Sequence, residues 1–213
     1  MTDLNYPLPR RGFLVATTAL ALGGCSGGNL IGPPSPAPQI YALNPPAPVA
    51  LDAPQVGWQL VVAVPIAPAV LDTDRIALER APNAMDYYAN SQWTDRLPSL
   101  VQALLVATFE RSGKITAVGR ETAGLRPDYV LETEIQDFEA FYAVIDTPPK
   151  IRVKLVAKLL AASSHEVAGS AEVSHEAQAA ANDMTNITGA FAQAANAAVR
   201  EIAVWTLRTG RSR

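Results

Sequence analysis

In the stretch KIRVKLVAKLLA (150–161), Ile151, Val153, Leu155, Ala157 and Leu159 alternate with Lys150, Arg152, Lys154 and Lys158. A period of two sends successive strand side chains to opposite faces, so one face of this strand is dry and the other wet. The preceding stretch DYVLETEIQDF (128–138) has the same rhythm, with Tyr129, Leu131, Thr133 and Ile135 opposed to Val130, Glu132, Glu134 and Gln136. The acidic outer row of one strand and the basic outer row of the other are placed to pair across an antiparallel ladder. Shorter apolar runs bounded by turn residues predict further strands: IYAL (40–43), WQLVVAVP (58–65), RIALER (75–80), AMDYYANSQW (84–93), KITAV (114–118) and EVAGSAEVSHEA (166–177).

Two segments change to a helical period. Leu97, Leu100, Val101, Leu104, Leu105, Thr108 and Phe109 fall on one stripe, with Thr94 as the expected N-cap, Pro98 in the tolerant first turn and Gly113 as the stop. From about Asp183 to Leu207, Ile187, Phe191, Ala195, Ala198, Ile202 and Trp205 form a second stripe, whose alanines permit close packing. The order is strands, helix, four strands, helix. It predicts a single α+β domain over residues 40–207, a mostly antiparallel or mixed sheet with two long helices packed on one face. Residues 208–213 read as a disordered tail.

The N-terminal part follows neither period. Arg10 and Arg11 precede an apolar core, Phe13–Leu22, and small residues then lead to Cys25, the only cysteine in 213 residues. This is the three-part plan of an export signal, and the core is too short to span a bilayer as a helix. Leu22-Gly23-Gly24-Cys25 looks like a bacterial lipobox, with Leu22 at −3 and Gly24 before the cysteine. That likeness implies cleavage after residue 24, diacylglycerol on the Cys25 sulfur and a fatty acyl chain, such as palmitate, on its new amino group. The alternative is a free cysteine behind a signal, which leaves an exposed thiol outside the cytosol with no disulfide partner. Ser26, where an aspartate is read as inner-membrane retention, favours the outer membrane and its periplasmic face.

Arg10-Arg11-Gly12-Phe13-Leu14 also resembles the twin-arginine motif of Tat export, and Thr17 and Thr18 keep the core only moderately apolar. A Sec signal with adjacent arginines remains the alternative. Prolines crowd into GPPSPAPQ (32–39) and NPPAPVALDAPQ (44–55). Residues 25–39 therefore read as a semi-rigid tether, in which the stretch from Ser26 to Pro38 reaches about 40 Å at most.

Removing residues 1–24 moves the formal charge from −3 to −4. That balance has no electrostatic footprint for nucleic acid. Ser164-His165-Glu166 and Ser174-His175-Glu176 echo a hydrolase trio, but neighbouring strand side chains point to opposite faces and cannot assemble one. No zinc ligand spacing, nucleophile elbow or phosphate loop appears, so no catalytic residue, metal or cofactor beyond the Cys25 lipid is expected.

The stretch from Val61 to Gly113 resembles the ABC-type transport auxiliary lipoprotein (PqiC-like) family. Val64-Pro65, Leu71-Asp72, Ile76 with Arg80, Tyr87-Tyr88, Trp93 and Leu97–Phe109 carry the likeness in order, with Tyr41-Ala42-Leu43 before them and Asp128-Tyr129-Val130-Leu131 after. The resemblance implies a non-enzymatic lipoprotein beside an ABC permease and ATPase and an MCE-domain substrate-binding protein, moving phospholipid or another hydrophobic solute across the Gram-negative envelope. It leaves homo-oligomerisation open. Two other readings stand beside it: a structural outer-membrane lipoprotein, and a periplasmic enzyme of unknown chemistry. The 65–74 loop departs from the family pattern, with Pro68 and no aromatic before the leucine–aspartate pair. Aromatic and arginine side chains are enriched at interface hot spots, which makes Asp72, Arg75, Tyr87, Tyr88 and Trp93 the candidate partner-binding residues. Against this, Trp93 at a strand-to-helix junction also reads as a core anchor, and alternation places one of Tyr87 and Tyr88 on the dry face.

Overall fold

A computed structural model of the chain describes residues 2, 37–45 and 51–211. The signal segment, with Arg10, Arg11, Leu22, Gly24 and Cys25, lies outside the described residues, as does the tether up to residue 36.

Among the described residues, eight strands and two α-helices follow the expected order: β1 (Gln39–Tyr41), β2 (Val56–Val62), β3 (Arg75–Ala81), β4 (Ala84–Trp93), α1 (Leu97–Ser112), β5 (Ile115–Arg120), β6 (Tyr129–Phe141), β7 (Lys150–Ala161), β8 (Val167–Gln178) and α2 (Met184–Thr209). The two helices pack against each other on one face of a mixed sheet, α1 over β5 and α2 over β7 and β8. The fold is α+β.

The centre of the sheet is β6, whose 13 residues are long enough to take two strands end to end along one edge. Its first residues pair in parallel with β2 (Leu60 opposite Tyr129), and its last pair in parallel with β3 (Leu78 opposite Ala140). Along the other edge β6 runs antiparallel to β7, and β7 to β8. β4 pairs antiparallel with β3 and in parallel with β1, while β5 pairs in parallel with β2.

One register shift rearranges the expected alternation. Between Ile135 and Asp137 an extra residue enters β6, so Ile135 faces Leu155 but Asp137 faces Lys154. Such a bulge swaps the faces beyond it. Leu131, Thr133 and Ile135 point to the helices before the bulge, and Phe138 and Ala140 after it. Every one of them is buried.

The helices differ from expectation at their ends. Thr94 does not cap α1: the N-cap is Arg96, which makes no side-chain capping bond. The first helical N–H, that of Leu97, donates instead to the Thr73 carbonyl (3.0 Å), while Thr94 N–H donates to the Tyr41 carbonyl (2.9 Å). Pro98 carries no donor to satisfy, so a loop carbonyl and a proline replace the cap. Gly113 ends the helix in the left-handed conformation (φ 62°). α2 runs two residues into the segment expected to be tail. Arg208 pairs with Asp52 and the Tyr129 hydroxyl meets the Arg211 backbone, which holds this end in place. Trp205 sits half-buried at the margin of the core, and Thr206 and Leu207 take the inward positions.

Candidate partner-binding surface

The segment between β2 and β3 is zipped into the gap that these strands leave along β6. Ala63 N–H donates to Leu131, Ile66 N–H to Thr133, and Ile135 N–H back to the Ile66 carbonyl (2.8 Å). The segment then turns at Pro68, whose carbonyl accepts from both Leu71 N–H (2.8 Å) and Asp72 N–H (2.9 Å). That turn drives Leu71 into the core. The loop is thus a fixed part of the sheet's helix-free face.

The candidate residues hold this loop in place. The Asp72 carboxylate accepts from Arg96 Nε and the terminal guanidinium nitrogen (3.1 and 2.6 Å), and Arg96 also donates to the Asp72 carbonyl. Asp72 therefore clamps the loop to the start of α1, and its partner is Arg96 and not the nearby Arg75. The Arg75 guanidinium lies 3.6 Å from the Tyr87 ring centroid, and the Tyr87 hydroxyl donates to the Val70 carbonyl (3.0 Å).

Tyr88 turns the other way. Its hydroxyl meets that of Tyr142 at 2.8 Å, and Tyr142 donates to Asn182 just before α2. Burial first, then the Tyr142 hydrogen bond, push the Tyr88 phenol far above its ordinary range, so it stays neutral. Both tyrosines are half-buried, on opposite faces. Opposite faces are what alternation gives adjacent strand residues, and each ring is half-buried because each finds a partner on its own side.

Of the two readings of Trp93, the structure gives the core anchor. It is 2% exposed and lies edge-to-face on Phe138 and Phe191, which stack on each other at 5.2 Å. It anchors the core and presents no surface to a partner.

The sequence reading missed a charged cluster on the same helix-free face. Arg152 on β7 reaches both Glu139 on β6 (2.8 Å) and Glu79 on β3, and its guanidinium lies over the Phe141 ring. Glu139 is 3% exposed. Burial raises its carboxyl above the ordinary range, and the attraction of Arg152 offsets that only in part. The alternating charges of β6 and β7 were visible, but the bulge sets which acid meets Arg152. Basic residues of β7 also pair outward with β8, as Lys150–Glu176 and Lys154–Glu172.

Above this cluster opens a cleft of about 250 Å³, walled by Pro68, Val70 and Leu71 of the loop and by Met85, Asp137 and Arg152 of the sheet. Ile66 (73% exposed) and Val64 (50%) stand along the same loop. A fixed loop with exposed aliphatic side chains beside a charged cleft is suited to docking. The histidine echoes resolve into separate roles: His165 occupies a left-handed turn position, and His175 pairs with Glu201 of α2 at 2.6 Å. Among the described residues, no three His, Cys, Asp or Glu side chains gather as a metal site requires.

Comparison with known proteins bears on what this surface serves. The crystal structure of protein XCC0632 from Xanthomonas campestris is 33% identical, with a TM-score of 0.75, covering 81% of this chain and 96% of that one. A second solved structure, of an uncharacterized protein, shares the fold at 15% identity and a TM-score of 0.59, covering 78% of this chain and 97% of the other. No curated protein matches. A family model described as the ABC-type transport auxiliary lipoprotein component matches residues 41–203, from β1 into the last turns of α2. The chain belongs to the ABC-type transport auxiliary lipoprotein (PqiC-like) family.

Proposed function

We propose that the protein is a lipid-anchored, non-enzymatic component of an ABC and MCE-type system that moves phospholipid or another hydrophobic solute across the Gram-negative envelope. Cys25 carries the diacylglycerol and the N-acyl chain, and the domain works at the periplasmic face of the outer membrane. The family match over residues 41–203, directly downstream of the lipobox and tether, carries this reading. The architecture agrees with it, because the signature residues Leu71, Asp72, Tyr87 and Trp93 all build the domain. The MCE-type partner docks on the helix-free face, against Val64, Ile66 and Arg75.

Two experiments test the proposal. Metabolic labelling with a fatty acid should mark the wild type and fail to mark Cys25→Ser, which should leave the membrane fraction; label retained in that variant refutes the anchor. Ile66→Asp combined with Arg75→Ala alters exposed side chains while leaving the Ile66 backbone bonds in place. The folded double variant should lose co-purification with an MCE-type partner. Wild-type recovery of the partner removes this face from the interface.

A further inference from the structure

One end of the sheet gathers three of its connections. β3 and β6 run in parallel and finish together, with Glu79 opposite Phe141. The β3–β4 turn, the β6–β7 loop (142–149) and the segment leading into α2 therefore share this end, since β8 finishes opposite Lys150. β1 lies parallel to the last residues of β4, with Gln39 opposite Ser91 and Tyr41 opposite Trp93, so it runs away from this end and starts seven residues short of it. The β7–β8 turn at Ser164 lies at the other end, roughly 40 Å away along the 13 residues of β6.

The end shared by these connections also carries exposed aliphatic side chains. Val144 and Ile145, adjacent at the tip of the β6–β7 loop, are 62% and 65% exposed, and Met85 at the start of β4 is 37% exposed. Below Ile145 lies a small polar pocket of about 120 Å³ formed with Arg80, Tyr142, Asp146 and Asn182. Arg80 makes no ion pair among the described residues.

We propose that this end rests on the membrane holding the chain's own anchor, with Val144 and Ile145 buried among the lipid acyl chains and Arg80 level with the phosphates. The proposal rests on the acylation of Cys25. Two aliphatic side chains are too few to recruit a protein from solution. A tether reaching about 40 Å at most makes the contact intramolecular, so a small apolar gain is enough to seat the domain. Asp86, Asp146 and Asp183 stand at the same end and outnumber the free Arg80. Anionic lipid therefore adds nothing, and the contact is apolar and insensitive to salt.

The test places a thiol-reactive environment-sensitive dye on full-length, processed Ile145→Cys and, as the far-end control, Ser164→Cys. Each is reconstituted into vesicles of phosphatidylethanolamine with a minority of phosphatidylglycerol, with and without brominated acyl chains. Acylated Cys25 takes no dye, so mass and flotation report the anchor separately. The expected result is a blue-shifted dye at 145, quenched several-fold more than the dye at 164, at low and high salt alike. A singly labelled protein that floats with the vesicles but is unquenched at 145 overturns the membrane contact alone. A doubly labelled protein that stays in solution overturns the anchor as well.

Discussion

Replacing Trp93 with alanine separates a core role from a binding role. The indole is 2% exposed and meets Phe191 at 5.3 Å and Phe138 at 6.3 Å, edge-to-face in both cases. An aromatic side chain buries roughly 150–250 Å². At about 25 cal/mol per Å² that is about 4–6 kcal/mol, an upper bound because the unfolded chain already hides some surface. Alanine keeps the Cβ, and partial collapse of the two phenylalanines recovers some contact, so the expected loss is about 3–5 kcal/mol. For a chain of this size, that lowers Tm by about 10 °C. Far-UV circular dichroism is the suitable probe, because the mutation removes one of only three tryptophans and alters the fluorescence itself. Trp93→Phe should recover much of the loss by keeping an aromatic edge on Phe191. A Tm unchanged in Trp93→Ala, with partner binding abolished, refutes the core assignment.

Arg152→Met leaves Glu79 and the buried Glu139 facing each other unpaired, at a cost of up to about 3 kcal/mol, moderated because the guanidinium keeps part of its surface in water. The gap from wild type should be largest at neutral pH and close as pH falls through the raised Glu139 pKa, where the carboxyl is neutral; urea titrations across pH read this, and a pH-independent gap contradicts it. Asp183 caps α2 by accepting from Asn186 N–H, which holds its carboxyl below the ordinary range. Its contribution is present above the unfolded pKa and lost as pH falls through the folded one, so Asp183→Ala should lower Tm at neutral pH and converge with wild type in strong acid. Changing Arg10 and Arg11 together to lysine keeps the charge but removes the guanidinium pair, so processing should stop if export is by Tat and continue if it is by Sec.

Local periodicity was enough to define most elements. The β4 and β7 boundaries match the runs read from sequence, 84–93 and 150–161, and in β7 this follows because a half-buried strand writes its burial directly into alternation. The helical stripes and the Gly113 stop were equally legible, as was the family resemblance carried by Val64-Pro65, Leu71-Asp72 and Trp93. Those signals depend on neighbours a few residues apart. What followed from distant contacts was not legible. Thr94 lost its capping role because a carbonyl 24 residues upstream of Leu97 already met the helix. Glu139 faces Arg152 only because one extra residue in β6 exchanges its faces, and the adjacent polar pair Gln136-Asp137, where the alternation breaks step, gives no sign of which acid meets Arg152 across the ladder. Asp72 pairs with Arg96, and Tyr87 and Tyr88 find partners on opposite faces, because β3 and β4 are brought beside a loop that β6 holds. Sequence determined where most strands and helices lie, since periodicity is a local signal. Only the tertiary structure decided what each one touches, since pairing energy depends on groups that the chain brings together from far apart.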